Sequence, residues 1–152
     1  MDGEKGGGVR HFMTLPLKRY ADFDGRSQRA EYWWYTLAWW LVVIGLYILF
    51  GAATFTALPE PDAPGGGEGS SAVFWIALIA IIAFFLLTLI PNIAVTVRRF
   101  HDQDKSGWLY LLNFVPYIGA LVIIVFMCLE GTRGPNGYGD DPKAENTASV
   151  FE

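Results

Sequence analysis

The stretch Ala72 to Ile90, AVFWIALIAIIAFFLLTLI, decides how this chain folds. It contains no charged residue, and its only polar side chain is Thr88. Crossing a hydrocarbon core about 30 Å thick takes roughly 20 apolar residues of α-helix. This stretch sits within 29 uncharged residues between Glu68 and Arg98, and two further runs resemble it. One has 28 residues between Glu31 and Glu60; the other has 24 between Lys105 and Glu130. A soluble core of this size needs no such runs, so the sequence calls for lipid around most of the chain. The expected architecture is all-α, an integral membrane helical protein with three transmembrane helices at about 32–55, 72–97 and 108–129. A polar tail (1–22) precedes this membrane domain (23–142), and residues 143–152 are expected to be disordered.

Charged residues make up 17% of the chain, below the roughly 25% of a soluble domain, and they are segregated rather than mixed. No basic face of the kind that binds nucleic acid is present, so nucleic acid is not an expected partner. The single cysteine, Cys128, lies in the third apolar run and reads as a small apolar side chain. No cofactor or metal-ligand spacing is evident. The first apolar run begins at Tyr32, too late and too long for a cleaved secretory signal, and reads as a retained anchor.

Charge placement sets an expected orientation. Lys5, Arg10, Lys18, Arg19, Arg26 and Arg29 precede the first run, and Arg98, Arg99 and Lys105 follow the second. Between those runs the charges are all acidic: Glu60, Asp62 and Glu68. Positive flanks stay cytoplasmic, which places the N-terminus and the 98–105 loop inside. The connector over 59–71, rich in Pro and Gly, is then outside and reads as a mobile link. Aromatic residues at the run boundaries, Tyr32 to Tyr35, Phe74, Trp75, Trp108 and Tyr110, suit a membrane interface. Trp39 and Trp40 sit deeper and read as packing between helices.

The third run is interrupted by Pro116-Tyr117-Ile118-Gly119. The preferred reading is one crossing helix bent at Pro116, with the C-terminal tail outside. The alternative is a re-entrant hairpin that returns the tail to the cytoplasm.

Two polar segments flank the first pair of runs. One, from Phe23 to Trp34, carries Arg26, Arg29 and Glu31; the other, from Arg98 to Trp108, carries Arg98, Arg99, His101, Asp102, Ser106, Gly107 and Trp108. Asp24 or Ser27 is a suitable cap for a short interfacial helix entering the first span. Charges at a membrane boundary are costly unless paired or hydrated. The expectation is therefore a network pairing Glu31 with Arg98 or Arg99, and Asp102 with Arg26 or Arg29. The competing reading has the arginines meeting lipid phosphates independently. Farther on, Gly131, Gly134, Asn136 and Gly139 mark a tail of turns, read as an ordered cap or a partner-recognition loop.

These segments resemble a family of small bacterial inner-membrane proteins known as domain of unknown function 805. The resemblance rests on Phe23, Gly25, Arg26, Arg29, Glu31, Tyr32 and Trp33 before the first run. In the second segment it rests on Arg98, Arg99, His101, Asp102 and Ser106-Gly107-Trp108. Pro116, Gly119, Gly131, Thr132, Gly134, Asn136, Gly139, Asp141 and Pro142 complete it. Members commonly carry glycine between the His-Asp pair and the Ser-Gly-Trp, where this chain has Asp104. The resemblance implies a multi-pass protein of the bacterial inner membrane and supplies no activity.

Three functional readings follow. The leading one is a non-enzymatic membrane protein, with the lipid bilayer and either further copies or other envelope proteins as partners. The second is a subunit of a small-solute or ion transporter, although the spans carry no midplane charge. The third is a lipid-modifying enzyme using His101 and Asp102, with Asp102 and Asp104 as a weak cation pair.

Overall fold

The computed structural model describes residues 8–57 and 68–143. Most of the connector and the tail beyond Lys143, where mobility and disorder were expected, lie outside these residues. Five helices are described: α1 (Val9–Lys18), α2 (Arg29–Ala57), α3 (Glu68–His101), a 3₁₀ helix (Gly107–Phe114) and α4 (Ile118–Cys128). Among the described residues there is no β-strand, only an isolated bridge between Asn136 and Gly139. Arg29–Phe55 and Ala72–His101, 27 and 30 residues, are long and apolar enough to cross a membrane. Pro91 lies within α3 without ending it.

The chain divides into two compact units, one formed by residues up to Thr36 and from Ile90 onward, the other by Leu37–Leu89. In the second unit Trp39 packs against Phe84 and Phe85, with ring centres 6.1 and 5.5 Å away. Its indole N–H donates to Thr88 Oγ1 at 2.9 Å, so the polar edge of a deep tryptophan is satisfied inside an apolar unit. Trp40 is more than half exposed. Phe50 meets Phe74 at 5.3 Å, and Val43, Ala53 and Ala77 are buried.

In the first unit the apolar core is Phe100, Ile123 and Met127, wrapped by Tyr32, Leu109, Tyr110 and Phe126. The third apolar run reaches this core as two short arms rather than one long helix. The 3₁₀ arm has 8 residues and α4 has 11, about 16 Å each at their respective rises. Pro116 cannot continue the N–H ladder. Tyr117 follows at φ 64°, ψ −53°, and Ile118 N donates to Pro116 O at 2.7 Å. That is the rare, strained form of the three-residue γ-turn, which reverses the chain. Gly119 then passes so close to Leu112 that an added Cβ would overlap its carbonyl oxygen.

Both arms return to the same place. At the start, Gly107 lies against Val97 and His101. At the end, Leu129 O accepts from Arg99, and Phe126 O accepts from Gln103 Nε2 at 2.6 Å. The run is a helical hairpin that leaves and rejoins the end of α3, which differs from the bent helix preferred on sequence grounds. Gly119→Ala should therefore cost about 1–3 kcal/mol through overpacking against backbone. A lowered unfolding midpoint in detergent would register it, and an unchanged midpoint would contradict the close pass of the two arms.

The short helix before α2 also differs from expectation. Gly25 has φ +80°, a turn that prevents a helix from running through the Asp24–Ser27 segment. The helix lies earlier, at Val9–Lys18, where Val9, Phe12, Met13, Pro16 and Leu17 recur at helical spacing.

Candidate functional site

The polar segments converge where α3 ends. The turn at Gly25 sets Ser27 against α3, where its N–H donates to Arg98 O at 3.2 Å. It also points Arg26 at the end of the helix. Arg26 Nε donates to Asp102 Oδ1 at 3.0 Å, and its Nη2 lies 2.9 Å from the same oxygen. The remaining donors reach the tail: Nη1 to Gly134 O at 2.6 Å and Nη2 to Thr132 O at 2.5 Å. One planar guanidinium thus joins the N-terminal segment, α3 and the tail, using the fixed fork of donors that lysine lacks.

Asp102 is shared. Its second oxygen pairs with Arg99, whose other Nη donates to Leu129 O. Arg98 Nη2 pairs with Glu31 Oε1 at 3.2 Å, and Nη1 donates to Asp22 O at 3.0 Å. Of the anticipated pairs, the structure makes Glu31–Arg98 and Asp102–Arg26. Arg99 joins Asp102 rather than Glu31. Arg29 instead meets Glu130 at 2.7 Å, with both side chains more than a third exposed, a setting worth at most about 1 kcal/mol.

Arg26, Arg98 and Arg99 are buried against two buried carboxylates, Glu31 and Asp102. The extra cation is met by the carbonyls of Asp22, Leu129, Thr132 and Gly134. Hydrogen bonds to charged groups contribute about 1.5–3 kcal/mol each, which offsets a desolvation cost of several kcal/mol per ion.

The tail in turn caps α3, whose last carbonyls lack helical partners. Thr132 N donates to Asp102 O at 2.8 Å, and Asn136 Nδ2 donates to His101 O at 2.9 Å. Gly131 touches the Asp102 carboxylate, leaving no room for a Cβ, while Gly134 and Gly139 adopt φ +77° and +135°. Asp141 closes the tail by accepting from Lys143 N at 2.9 Å and Gly134 N at 3.0 Å. These two N–H groups, Lys143's foremost, hold its carboxyl below the usual carboxylate range. The stabilisation this gives the turn is present above the ordinary carboxylate pKa and is lost as pH falls through the lowered one.

His101 does not share Asp102. The carboxylate is bonded to Arg26 and Arg99, while the imidazole stacks on Tyr138 with ring centres 3.9 Å apart and planes 7° apart. Asp104 points elsewhere, with Oδ1 accepting from Gly137 N at 3.3 Å. Among the described residues no group of three or more His, Cys, Asp or Glu could hold a metal ion. Ser106 caps the 3₁₀ helix, its Oγ accepting from Trp108 N at 3.4 Å. Gly107 permits that helix to approach α3, since a Cβ there would lie 2.6 Å from Val97 Cγ1. Trp108 is 79% exposed. Beside it lies a cavity of about 520 Å³ between α3, the 3₁₀ helix and Tyr138.

Sequence reasoning missed Gln103, Glu130 and Tyr138. Tyr138 sits among turn residues with no periodic signal, and only its stacking on His101 marks it.

Asp104 has φ +54°, a left-handed conformation that Asp tolerates and glycine prefers. Asp104→Gly should leave the unfolding midpoint within about 1 kcal/mol of the parent, whereas β-branched Asp104→Val should cost about 1–2 kcal/mol. Equal midpoints for the two variants would contradict this turn.

The chain is similar to the inner membrane protein YhaI of Escherichia coli K12, 39% identical over 127 residues that cover 84% of this chain and 91% of the relative. It is similar to the inner membrane protein YhaH of the same organism, 38% identical over 129 residues covering 85% and 93%. The uncharacterized protein YiiR is 27% identical, with coverage of 84% and 93%. No solved structure matches the chain. The buried arginines, their two carboxylates and the glycines of the tail all fall within residues 20–140, which match the family described as Protein of unknown function (DUF805), and the chain belongs to that family.

Proposed function

We propose that this chain is a non-enzymatic inner-membrane protein that assembles with copies of itself. In this reading α2 and α3 cross the membrane, and the third run enters as a re-entrant hairpin with both chain ends in the cytoplasm. The observation that carries it is the internal use of the polar family motifs. Arg26, Glu31, Arg98, Arg99, Asp102 and Asn136 bind one another or main-chain carbonyls. Such a cluster shapes a platform and offers no reacting group to a substrate. The return of both hairpin arms to the end of α3 supports a shared side for the 98–105 loop and the tail. The positive flanks support the cytoplasm as that side.

Assembly is favoured by the outward aspect of the long helices. An added Cβ at Gly45 or Gly51 would meet nothing within 4 Å, and Ile48, Ile76, Ile79 and Leu86 are more than 60% exposed. Small residues on an open helix face let a second helix approach closely. The test is native mass spectrometry of the full chain in detergent, with Gly45→Leu and Gly51→Leu as disrupting variants. A discrete oligomer dispersed by those variants supports the reading; a monomer at every concentration sinks it. For the topology, a cysteine placed at Arg133 should be shielded from an impermeant thiol reagent added outside intact cells. Labelling there would overturn the hairpin.

A further inference from the structure

We propose that the cavity beside the last turns of α3 binds one long-chain lipid with an uncharged, hydrogen-bonding head. This goes beyond self-assembly and rests on different residues. Ile93, Val97 and His101 follow one another at four-residue spacing on α3, and all three line the cavity. The helix therefore presents one stripe that is apolar for two turns and ends in an imidazole. Leu111 and Tyr110 of the 3₁₀ helix form the facing wall. His101, Ser106 and Tyr138 gather at the polar end. The lining thus changes from hydrocarbon to hydrogen-bonding groups along the direction in which a span leaves the bilayer. An amphiphile has the same gradient.

The polar end is held in place. Tyr138 stacks flat on His101 and restrains the imidazole plane. Nε2 of that ring lies on the Gly107 side, 3.3 Å from where a Cβ there would sit. Ser106 Oγ accepts from Trp108 N, which leaves its hydroxyl hydrogen to donate to a bound oxygen.

Charge selects the head. Among the described residues, no Lys, Arg, Asp or Glu lines the cavity. The nearby cations Arg26, Arg98 and Arg99 are taken up by Asp102, Glu31 and main-chain carbonyls, and Lys105, next to Ser106, lies over the Phe126 ring with Nζ 5.5 Å from its centre. A phosphate in this space would lose water and find no counter-charge. A hydroxyl or ester oxygen meets the imidazole and the serine without that penalty. The size falls in the range of small-molecule sites, about 300–1,000 Å³. Trp108 and Leu111, 79% and 52% exposed, leave the wall open for lateral entry of a chain.

The test uses the full chain in detergent, supplied with dioleoylglycerol or with dioleoylphosphatidylglycerol, which has the same chains on an anionic head. Native mass spectrometry reads the lipid retained per protein chain. One dioleoylglycerol per chain is expected, with the anionic lipid retained less. Leu111→Trp fills the cavity from an exposed position and should abolish retention, whereas Leu121→Trp, on the exposed face of α4, should not change it. Ser106→Ala should weaken retention about fivefold, the worth of one neutral hydrogen bond, and should also lower the unfolding midpoint slightly because Trp108 N loses its cap. His101→Phe keeps the stack on Tyr138 and should weaken retention similarly. Equal retention of both lipids, a preference for the anionic one, or indifference to Leu111→Trp would each overturn the proposal.

Discussion

Replacing Asp102 with alanine should lower the stability of the folded chain by about 3–5 kcal/mol, because it strands two buried arginines at once. Arg26 and Arg99 are essentially inaccessible and converge on the two oxygens of this one carboxylate. Main-chain carbonyls from Leu129, Thr132 and Gly134 remain as acceptors, but the carboxylate in direct contact with both guanidinium groups is gone. The loss should be read in an unfolding titration in mixed micelles. It should also be local: Arg26 bridges to the tail, so cleavage by trypsin after exposed Arg133 should quicken well before global unfolding. Asp102→Asn keeps an acceptor without the charge and should fall between the parent and the alanine variant. A midpoint unchanged by Asp102→Ala would mean that the arginines are hydrated rather than paired.

The second large effect concerns Glu31 and Arg98. Reversing either charge alone places like charges against each other in a buried site and should cost about 3–5 kcal/mol or prevent assembly. Exchanging both, Glu31→Arg with Arg98→Glu, should recover part of that loss and give a coupling energy of about 1–3 kcal/mol in a double-mutant cycle. Recovery is partial for a specific reason. Arg98 also donates to Asp22 O, and a glutamate at that position would face a carbonyl it repels. The same exchange made between Glu31 and Arg99 should give no recovery, since Arg99 belongs to Asp102. Coupling of equal size for both exchanges would contradict the division of the cluster into two pairs.

Part of this arrangement was legible from residue types alone. The cost of unpaired charge near a membrane pointed to Glu31, Asp102 and four arginines, and it narrowed each carboxylate to two candidate partners. Choosing between Arg98 and Arg99 required the rotation of the last turn of α3, which one residue changes by about 100°. The exposed pair of Arg29 with Glu130 was invisible for a similar reason. It joins residues 101 positions apart through the return of the hairpin, and no local pattern reports such a closure. At Asp104 the departure from glycine raised a question about the turn, and the left-handed backbone there explains both residues.

The third apolar run shows the limit most clearly. The interruption at Pro116 was visible, yet the run was preferred as one bent crossing, because 24 residues are long enough for either a single crossing or a reversal. The deciding features are the left-handed Tyr117, the close pass of Gly119 against Leu112, and the carbonyls of Phe126 and Leu129 meeting Gln103 and Arg99.

Composition and charge spacing pointed to helices suited to lipid, three by their count where the structure has two long enough to cross it, and to a gathering of arginines around few carboxylates. These follow from solvation, which depends on what each residue is and on little else. Which guanidinium holds which carboxylate, where the chain turns back, and how the tail closes over the end of α3 were settled only by three-dimensional contact. Ion pairs and tight turns act over a few ångströms between residues up to about a hundred positions apart, and that proximity exists only once the chain has folded.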